Sequence, residues 1–333
     1  MAFTIVVGLG RSGLGAARLL HHQGQPVVVL ERGEGPDQTS CAAQLRAEGI
    51  EVELGIPLEI NSFEPWRSDL TAVVIGPGIP WDHPTLEILR QEGVQVRGEI
   101  ELAWDALNDI PWVGITGTNG KTTVTHLLSH VLEQAGLRAP MGGNMGVSAA
   151  EMALKIKTGD LLRPDWLVME LSSYQIEAGP TLAPSIGIWT TLTPDHLERH
   201  GTLEAYRAIK RGLLQRSSLA IFNGDDADLN AHRSSLKSGI WVQTATPCPD
   251  DQPADFWIDD AGTIQARESG AMFPADTLAM PGAHNRQNQL LVTAAAIQIG
   301  LNAEQIAQGF RSFPGVPPRL ERLGSTASAD VFN

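Results

Sequence analysis

Cysteine is nearly missing from this chain. Two residues in 333, Cys41 and Cys248, stand far apart. That excludes a disulfide framework and gives no metal-ligand spacing; the usage is that of a reduced compartment. Basic residues are also short: 24 Lys and Arg face 38 Asp and Glu, a net charge of −14. So acidic a surface repels nucleic acid and anionic membranes, and neither is expected as a partner. Phosphates stay accessible to it through focused basic and N–H sites. No apolar run approaches the ~20 residues of a membrane span. No leader of charged, apolar and small residues precedes the first strand at Thr4. Repeats and low-complexity tracts are also lacking. The expectation is a cytoplasmic, monomeric globular protein.

What is present suffices for two domains of ordinary size, with 42% hydrophobic and 19% charged residues. The first hundred residues alternate strands (4–7, 27–30, 71–75, 94–96) with helices (14–20, 84–91). Residues 98–110 read as a linker. A second unit starts at Pro111, with strands at 112–115, 166–169, 186–190 and 219–222. Each of these runs into a polar cluster. Helices are expected at 203–214 and 287–299, and loops with short antiparallel strands over 244–275. The fold class is α/β: a Rossmann-like amino domain, then a P-loop ATPase-type central domain with a mostly parallel sheet. Open parallel sheets bind ligands beyond the carboxyl ends of their strands, so the polar clusters are expected to converge.

The strongest of these clusters is Gly117-Thr118-Asn119-Gly120-Lys121-Thr122-Thr123. An apolar strand precedes it, and Val124, Leu127, Leu128, Val131 and Leu132 follow at helical spacing. Glycines let backbone N–H groups approach a polyphosphate. The helix N-terminus and Lys121 add positive charge, and Thr122 offers a hydroxyl to Mg²⁺. The bland alternative is a tight turn with a surface lysine. A second glycine loop, Gly8-Leu9-Gly10-Arg11-Ser12-Gly13, also joins a strand to a helix, and Glu31 closes the next strand. Alone this pattern says NAD; the same loop also serves any diphosphate, because it recognises phosphate.

Other positions have competing readings. Glu170, at a strand end, is either a solvated carboxylate or a Mg²⁺ ligand. His196, after Asp195, is a metal or substrate residue or simply a packed histidine. Lys210 on its helix is by default solvated. Asn285 and Asn288 are capping residues or adenine readers. Asp225 and Asp226 are most simply turn residues.

Together these motifs resemble the Mur ligase family of peptidoglycan synthesis, and within it the D-glutamate-adding branch. The likeness extends through Gly142-Gly143-Asn144-Met145-Gly146, Glu170-Leu171-Ser172-Ser173-Tyr174-Gln175, Tyr206-Arg207-Ala208-Ile209-Lys210 and His284-Asn285-Arg286-Gln287-Asn288. It implies a cytoplasmic, ATP- and Mg²⁺-dependent amide ligase of cell-wall synthesis, cell shape and cell division. Its partners would be UDP-N-acetylmuramoyl-L-alanine, D-glutamate and ATP. The implied domains are residues 1–99 for the UDP-substrate, 100–315 for ATP, and 316–333 as hinge and start of a carboxy-terminal domain. That last domain is expected to lie outside the chain, which is then expected to be inactive alone. The implied roles are these. Arg11, Ser12, Glu31, Arg32, Gly78, Asn144, Ser172 and Gln175 face the substrate. Residues Gly117 to Thr123, with Asn285, Asn288 and Arg319, face ATP. Thr122 and Glu170 take a first Mg²⁺; His196 and a carbamylated Lys210 take a second. Lys121, His196 and Lys210 carry the catalysis. The alternatives are another Mur ligase, a folylpolyglutamate synthase, an NAD-linked oxidoreductase or a non-catalytic ATP-binding regulator.

Overall fold

The computed structural model describes residues 3–246 and 253–317, and the backbone of 322–325 and 330–332. The chain begins with β1 (Phe3–Val7), α1 (Arg11–His22), β2 (Val27–Glu31), α2 (Pro36–Ala47) and β3 (Glu51–Leu54). It continues with β4 (Leu70–Ile75), α3 (Pro84–Gln91), β5 (Gln95–Gly98) and α4 (Glu99–Leu107). The five strands form a parallel sheet in the order β3-β2-β1-β4-β5. The order reverses at β1, so the turns after β1 and β4 flank the crevice where such sheets bind ligands.

Helix α2 and strand β3 escape the sequence pattern for a physical reason. Only Ala42 and Leu45 of α2 are buried, so no apolar stripe marks it. Helix α4 replaces the expected linker. Its acidic start, Glu99 and Glu101, reads as exposed, yet both side chains are buried and partnered. Glu99 accepts the Ala150 N–H at 2.5 Å, and Glu101 accepts the Thr181 hydroxyl at 2.6 Å.

The second sheet is built from β6 (Trp112–Thr116), α5 (Lys121–Gln134), β7 (Met141–Gly143), α6 (Ala149–Thr158), β8 (Leu167–Glu170) and α7 (Ser173–Glu177). There follow β9 (Ile186–Trp189), α8 (Leu197–His200), α9 (Leu203–Arg216), β10 (Leu219–Asn223), α10 (Ala227–Ala231) and β11 (Ile240–Gln243). The series ends with β12 (Phe256–Ile258), β13 (Thr263–Ala266), β14 (Gly270–Pro274), α11 (Ala283–Ile299) and α12 (Ala303–Arg311). Strand order is β14-β13-β12-β11-β10-β9-β6-β8-β7. The pairs β12–β13 and β13–β14 are antiparallel, as expected of this stretch, while β12 also joins the rest of the sheet by pairing parallel to β11. Strand β6 lies between β8 and β9, buried at every residue, so its end meets theirs.

The two sheets share one apolar core. It runs from Val6, Leu19 and Val29 through Trp112 and Leu167 to Phe222. At their junction α1 packs on α6 so closely that a Cβ on Gly15 would lie 2.7 Å from Ser148 Oγ. Glu99 is sealed into this junction, and its Oε2 has no hydrogen-bond partner. Burial pushes its carboxyl up to about 7, with the Ala150 N–H, Ser148 and Ser12 opposing less strongly. The unfolded chain ionises this group near 4.5. The contribution to stability is therefore complete below the lower value and is lost as pH rises through the upper one. Glu99→Gln is expected to flatten that slope, by up to about 1.4 kcal/mol per pH unit. Denaturant unfolding of both proteins across this window checks it; identical slopes would refute the assignment.

Candidate active site

The turn after β6 is shaped by two glycines. Gly117 has φ +150° and a Cβ there would stand 1.9 Å from Thr190 Oγ1. Gly120 has φ +84°, and its Cβ would meet Asn288 Oδ1 at 2.8 Å. Only glycine fits either position. The turn is fixed to the segment after β9. Thr118 N donates to Thr191 O at 2.9 Å, Asn119 N to Thr191 Oγ1 at 2.9 Å, and Thr193 N to Thr118 Oγ1 at 3.0 Å. Helix α5 then starts at Lys121, whose Nζ donates to Gly117 O at 2.9 Å and Thr118 O at 3.0 Å. Thr122 and Thr123 sit half-buried in its first turn. A 14-residue helix, a lysine and a glycine turn thus meet at one point, the arrangement that receives phosphate.

Glu170 is the last residue of β8, paired in register with Ile115 of β6. It is buried; Oε1 accepts from Asn144 Nδ2 at 2.9 Å, while Oε2 is buried with no partner. A buried, unpartnered carboxylate oxygen beside a phosphate-type loop suits a hard dication. Among the described residues no three His, Cys, Asp or Glu form a ready-made metal cage. A cation here would instead draw on Glu170, the Thr122 hydroxyl and the oxygens of a bound ligand. Asn144 also donates its backbone N–H to Glu170 O at 2.8 Å, so it steadies the carboxylate from two sides.

Lys210 reverses the solvated-lysine reading. It is buried on α9, and Nζ donates to Gly117 O at 3.0 Å and Thr116 Oγ1 at 3.3 Å, 4.4 Å above the Tyr206 ring. Burial, and next the positive charge of Lys121, bring its amine down to about 7; Asp195 opposes this. His196 is exposed with φ +53°, the single non-glycine residue at positive φ among the described residues. Its Nε2 lies 3.5 Å from Asp195 Oδ2, and its ring stands 5.3 Å from Tyr174 and 6.4 Å from Tyr206. Lys210 and His196 therefore both border Tyr206.

The remaining positions divide. On α11, Asn288 lies against Gly120 of the loop, and Asn285 donates to Pro281 O at 2.7 Å. Ser172 and Gln175 form a reciprocal capping box at the start of α7, which occupies both side chains. Asp226 caps α10 and also accepts the Leu192 N–H at 2.9 Å. Arg319 and Cys248 lie outside the described residues.

On the first sheet, two adjoining cavities of about 730 and 290 Å³ open at the switch between β1 and β4. Glu31, Arg32 and Gly78 line the larger; Arg11, Ser12 and Gly78 line the smaller. Glu31 binds its own loop, accepting from Leu9 N at 2.7 Å and Gly33 N at 2.6 Å. Those bonds fix the carboxylate at the mouth of the cavity, with one N–H on each oxygen and further acceptor sites open. Arg11 reaches across to Gly146 O at 2.8 Å, linking this loop to the Asn144 segment. The threonines Thr190 and Thr191, which hold the phosphate-type loop, drew no attention in the sequence. A Thr-Thr-Leu-Thr run directly after an apolar strand was the available signal.

Comparison with known proteins agrees with this geometry. The profile of the Mur ligase middle domain matches residues 115–296, and that of the MurD-like Mur ligase N-terminal domain matches residues 2–98. A UDP-N-acetylmuramoylalanine–D-glutamate ligase of Synechococcus sp. (strain CC9902) is 86% identical over 100% of this chain and 72% of the relative. The enzyme of the same name from Prochlorococcus marinus (strain MIT 9313) is 62% identical over the same shares. A solved murein peptide ligase from Psychrobacter arcticus shares the fold at 18% identity, with TM-score 0.63 over 100% of this chain and 72% of that one. A UDP-N-acetylmuramate–alanine ligase from Thermotoga maritima does so at 19% identity and TM-score 0.56, over 100% and 73%. Matched by family profiles over residues 2–98 and 115–296 and by relatives at 62–86% identity along its whole length, the chain belongs to the Mur ligase family.

Proposed function

We propose that this protein is an ATP-dependent amide ligase that adds D-glutamate to UDP-N-acetylmuramoyl-L-alanine through an acyl phosphate. The observation that carries this reading is the meeting of Lys121, Glu170 and Lys210 around one phosphate-type loop. The 86% identity to a D-glutamate ligase supports the substrate choice. In this reading residues 1–99 hold the UDP-substrate in the cavities at Arg11, Ser12, Arg32 and Gly78. Residues 100–315 hold ATP, and 316–333 lead toward the part that holds the amino acid. Asn285 and Asn288 would meet adenine, and Arg319 would reach ATP.

The alanyl carboxylate attacks the γ-phosphorus and ADP leaves. The D-glutamate amine then attacks the acyl carbon; phosphate leaves and the amine gives up a proton. Lys121 and the N–H groups of residues 117–123 neutralise and orient the moving phosphoryl group. Mg²⁺, when bound, would draw charge from the phosphate oxygens. Thr122 and Glu170 would hold one ion, and His196 with carbamylated Lys210 another. Carbamylation needs a neutral amine to attack CO₂, and the depressed Lys210 supplies one near neutral pH. Asn144 keeps Glu170 aimed, and the Ser172–Gln175 box holds the α7 end of the same edge. The phosphate-type loop at Lys121 weighs against a nicotinamide enzyme, which has no use for it.

The test is phosphate release by the full-length protein with ATP and UDP-N-acetylmuramoyl-L-alanine, with and without D-glutamate. Lys121→Ala is expected to lower turnover about 10²–10³-fold with little change in unfolding midpoint. Wild-type turnover in that variant would remove the assignment. Lys210→Ala is expected to lose activity and to recover part of it with added short-chain carboxylates, which fill the vacated ligand position. Full activity without carboxylate would show that no second metal depends on Lys210.

A further inference from the structure

The chain contains two tyrosines, Tyr174 and Tyr206. Both lie on one histidine. The His200 ring stacks on Tyr174 and on Tyr206, each at 5.3 Å with an interplanar angle of 29°. Its Nε2 is 2.9 Å from the hydroxyl of buried Ser173. Three elements meet in this stack: Tyr174 from α7, His200 from the end of α8, and Tyr206 from α9.

Helix α8 has no other means of staying in place through apolar burial. It is four residues long, and none of them is buried. Two polar anchors hold it. Arg199 pairs with Glu177 at 2.9 Å and with Asp82 of the first sheet unit at 3.1 Å. His200 supplies the other anchor. What the stack holds is close to the chemistry: Tyr206 lies under Lys210 Nζ at 4.4 Å. Lys210 Nζ in turn donates to Gly117 O of the loop. An imidazole is flat on both faces and polar at its edge, so it can fill a slot between two rings and still bond Ser173.

We infer that His200 is a positioning residue for the ligase reaction: its stacked ring fixes Tyr206, and through Tyr206 the amine of Lys210, against the phosphate loop. The inference rests on the ligase reading above. It assigns His200 no contact with substrate, so truncating it should disturb the alignment of reacting groups and leave substrate affinity nearly intact.

The experiment measures steady-state kinetics of the full-length protein with saturating co-substrates. His200→Ala is expected to lower kcat about tenfold or more, with KM for ATP and for the UDP-substrate within about twofold. His200→Phe, which keeps a stacked ring and loses the Ser173 bond, is expected to restore kcat to within about threefold. Tyr174→Leu removes the outer ring of the stack, which α7 contributes and which also stands 5.3 Å from the His196 ring. It is expected to give a smaller loss of kcat with the same unchanged KM, so the idea stays testable if His200→Ala fails to fold. Wild-type kcat in His200→Ala or Tyr174→Leu, or a His200→Phe variant as slow as His200→Ala, would overturn the inference while an active wild-type protein leaves the ligase reading standing. An inactive wild-type protein would overturn that reading, and this inference with it.

Discussion

The closest approach in the site is backbone against side chain: a Cβ on Gly117 would stand 1.9 Å from Thr190 Oγ1. That contact lets the turn after β6 lie flat on the segment after β9. Thr190 donates to Asn119 O at 2.5 Å, and the Thr118 and Asn119 N–H groups are taken up by Thr191. The loop is thus held from outside, and its remaining N–H groups keep their direction without help from a ligand. Preorganisation of this kind is what makes fixed dipoles useful in catalysis. Asn223 extends the same bracing from β10, donating to Thr190 O at 2.8 Å.

Around this braced loop the protein buries charge without neutralising it in pairs. Lys210 has neutral oxygens and a tyrosine face for neighbours. Glu170 has one oxygen on Asn144 and one on nothing. For Lys210 burial penalises the charge by more than Asp195 restores. Lys210 carries that cost as a depressed pKa. A site whose ligands bring both phosphate charge and dications would offset this cost on binding, and strongly perturbed buried groups are concentrated where such chemistry is done.

The two sheets reach this site as one packed body. Gly15 admits α6 against α1, and Glu99 closes the junction by accepting the Ala150 N–H at the start of α6. The Gly142–Gly146 segment, immediately before α6, touches both ends: Arg11 donates to Gly146 O, and Asn144 holds Glu170. A ligand long enough to run from the β1–β4 crevice to the phosphate-type loop would pass along residues already linked to each other.

The sequence alone determined the α/β class, the parallel strands with polar ends, and the glycine turn at 117–120, because these follow from local periodicity and from steric limits on φ. It also singled out Lys121 and Glu170, through motifs whose spacing is local, and Asn144 through the family resemblance alone. Helix α2 was illegible because it buries one narrow strip, and α4 because Glu99 and Glu101 look solvent-facing until Ala150 and Thr181 are folded onto them. The tertiary structure alone decided that Lys210 is buried and that Glu31 bonds the Leu9 N–H of the glycine loop. It also brought Tyr174, His200 and Tyr206 into one stack. The physical reason is that the Glu31–Leu9, His200–Ser173 and Lys210–Gly117 contacts join residues 20 to 100 positions apart, which helical and strand periods do not encode.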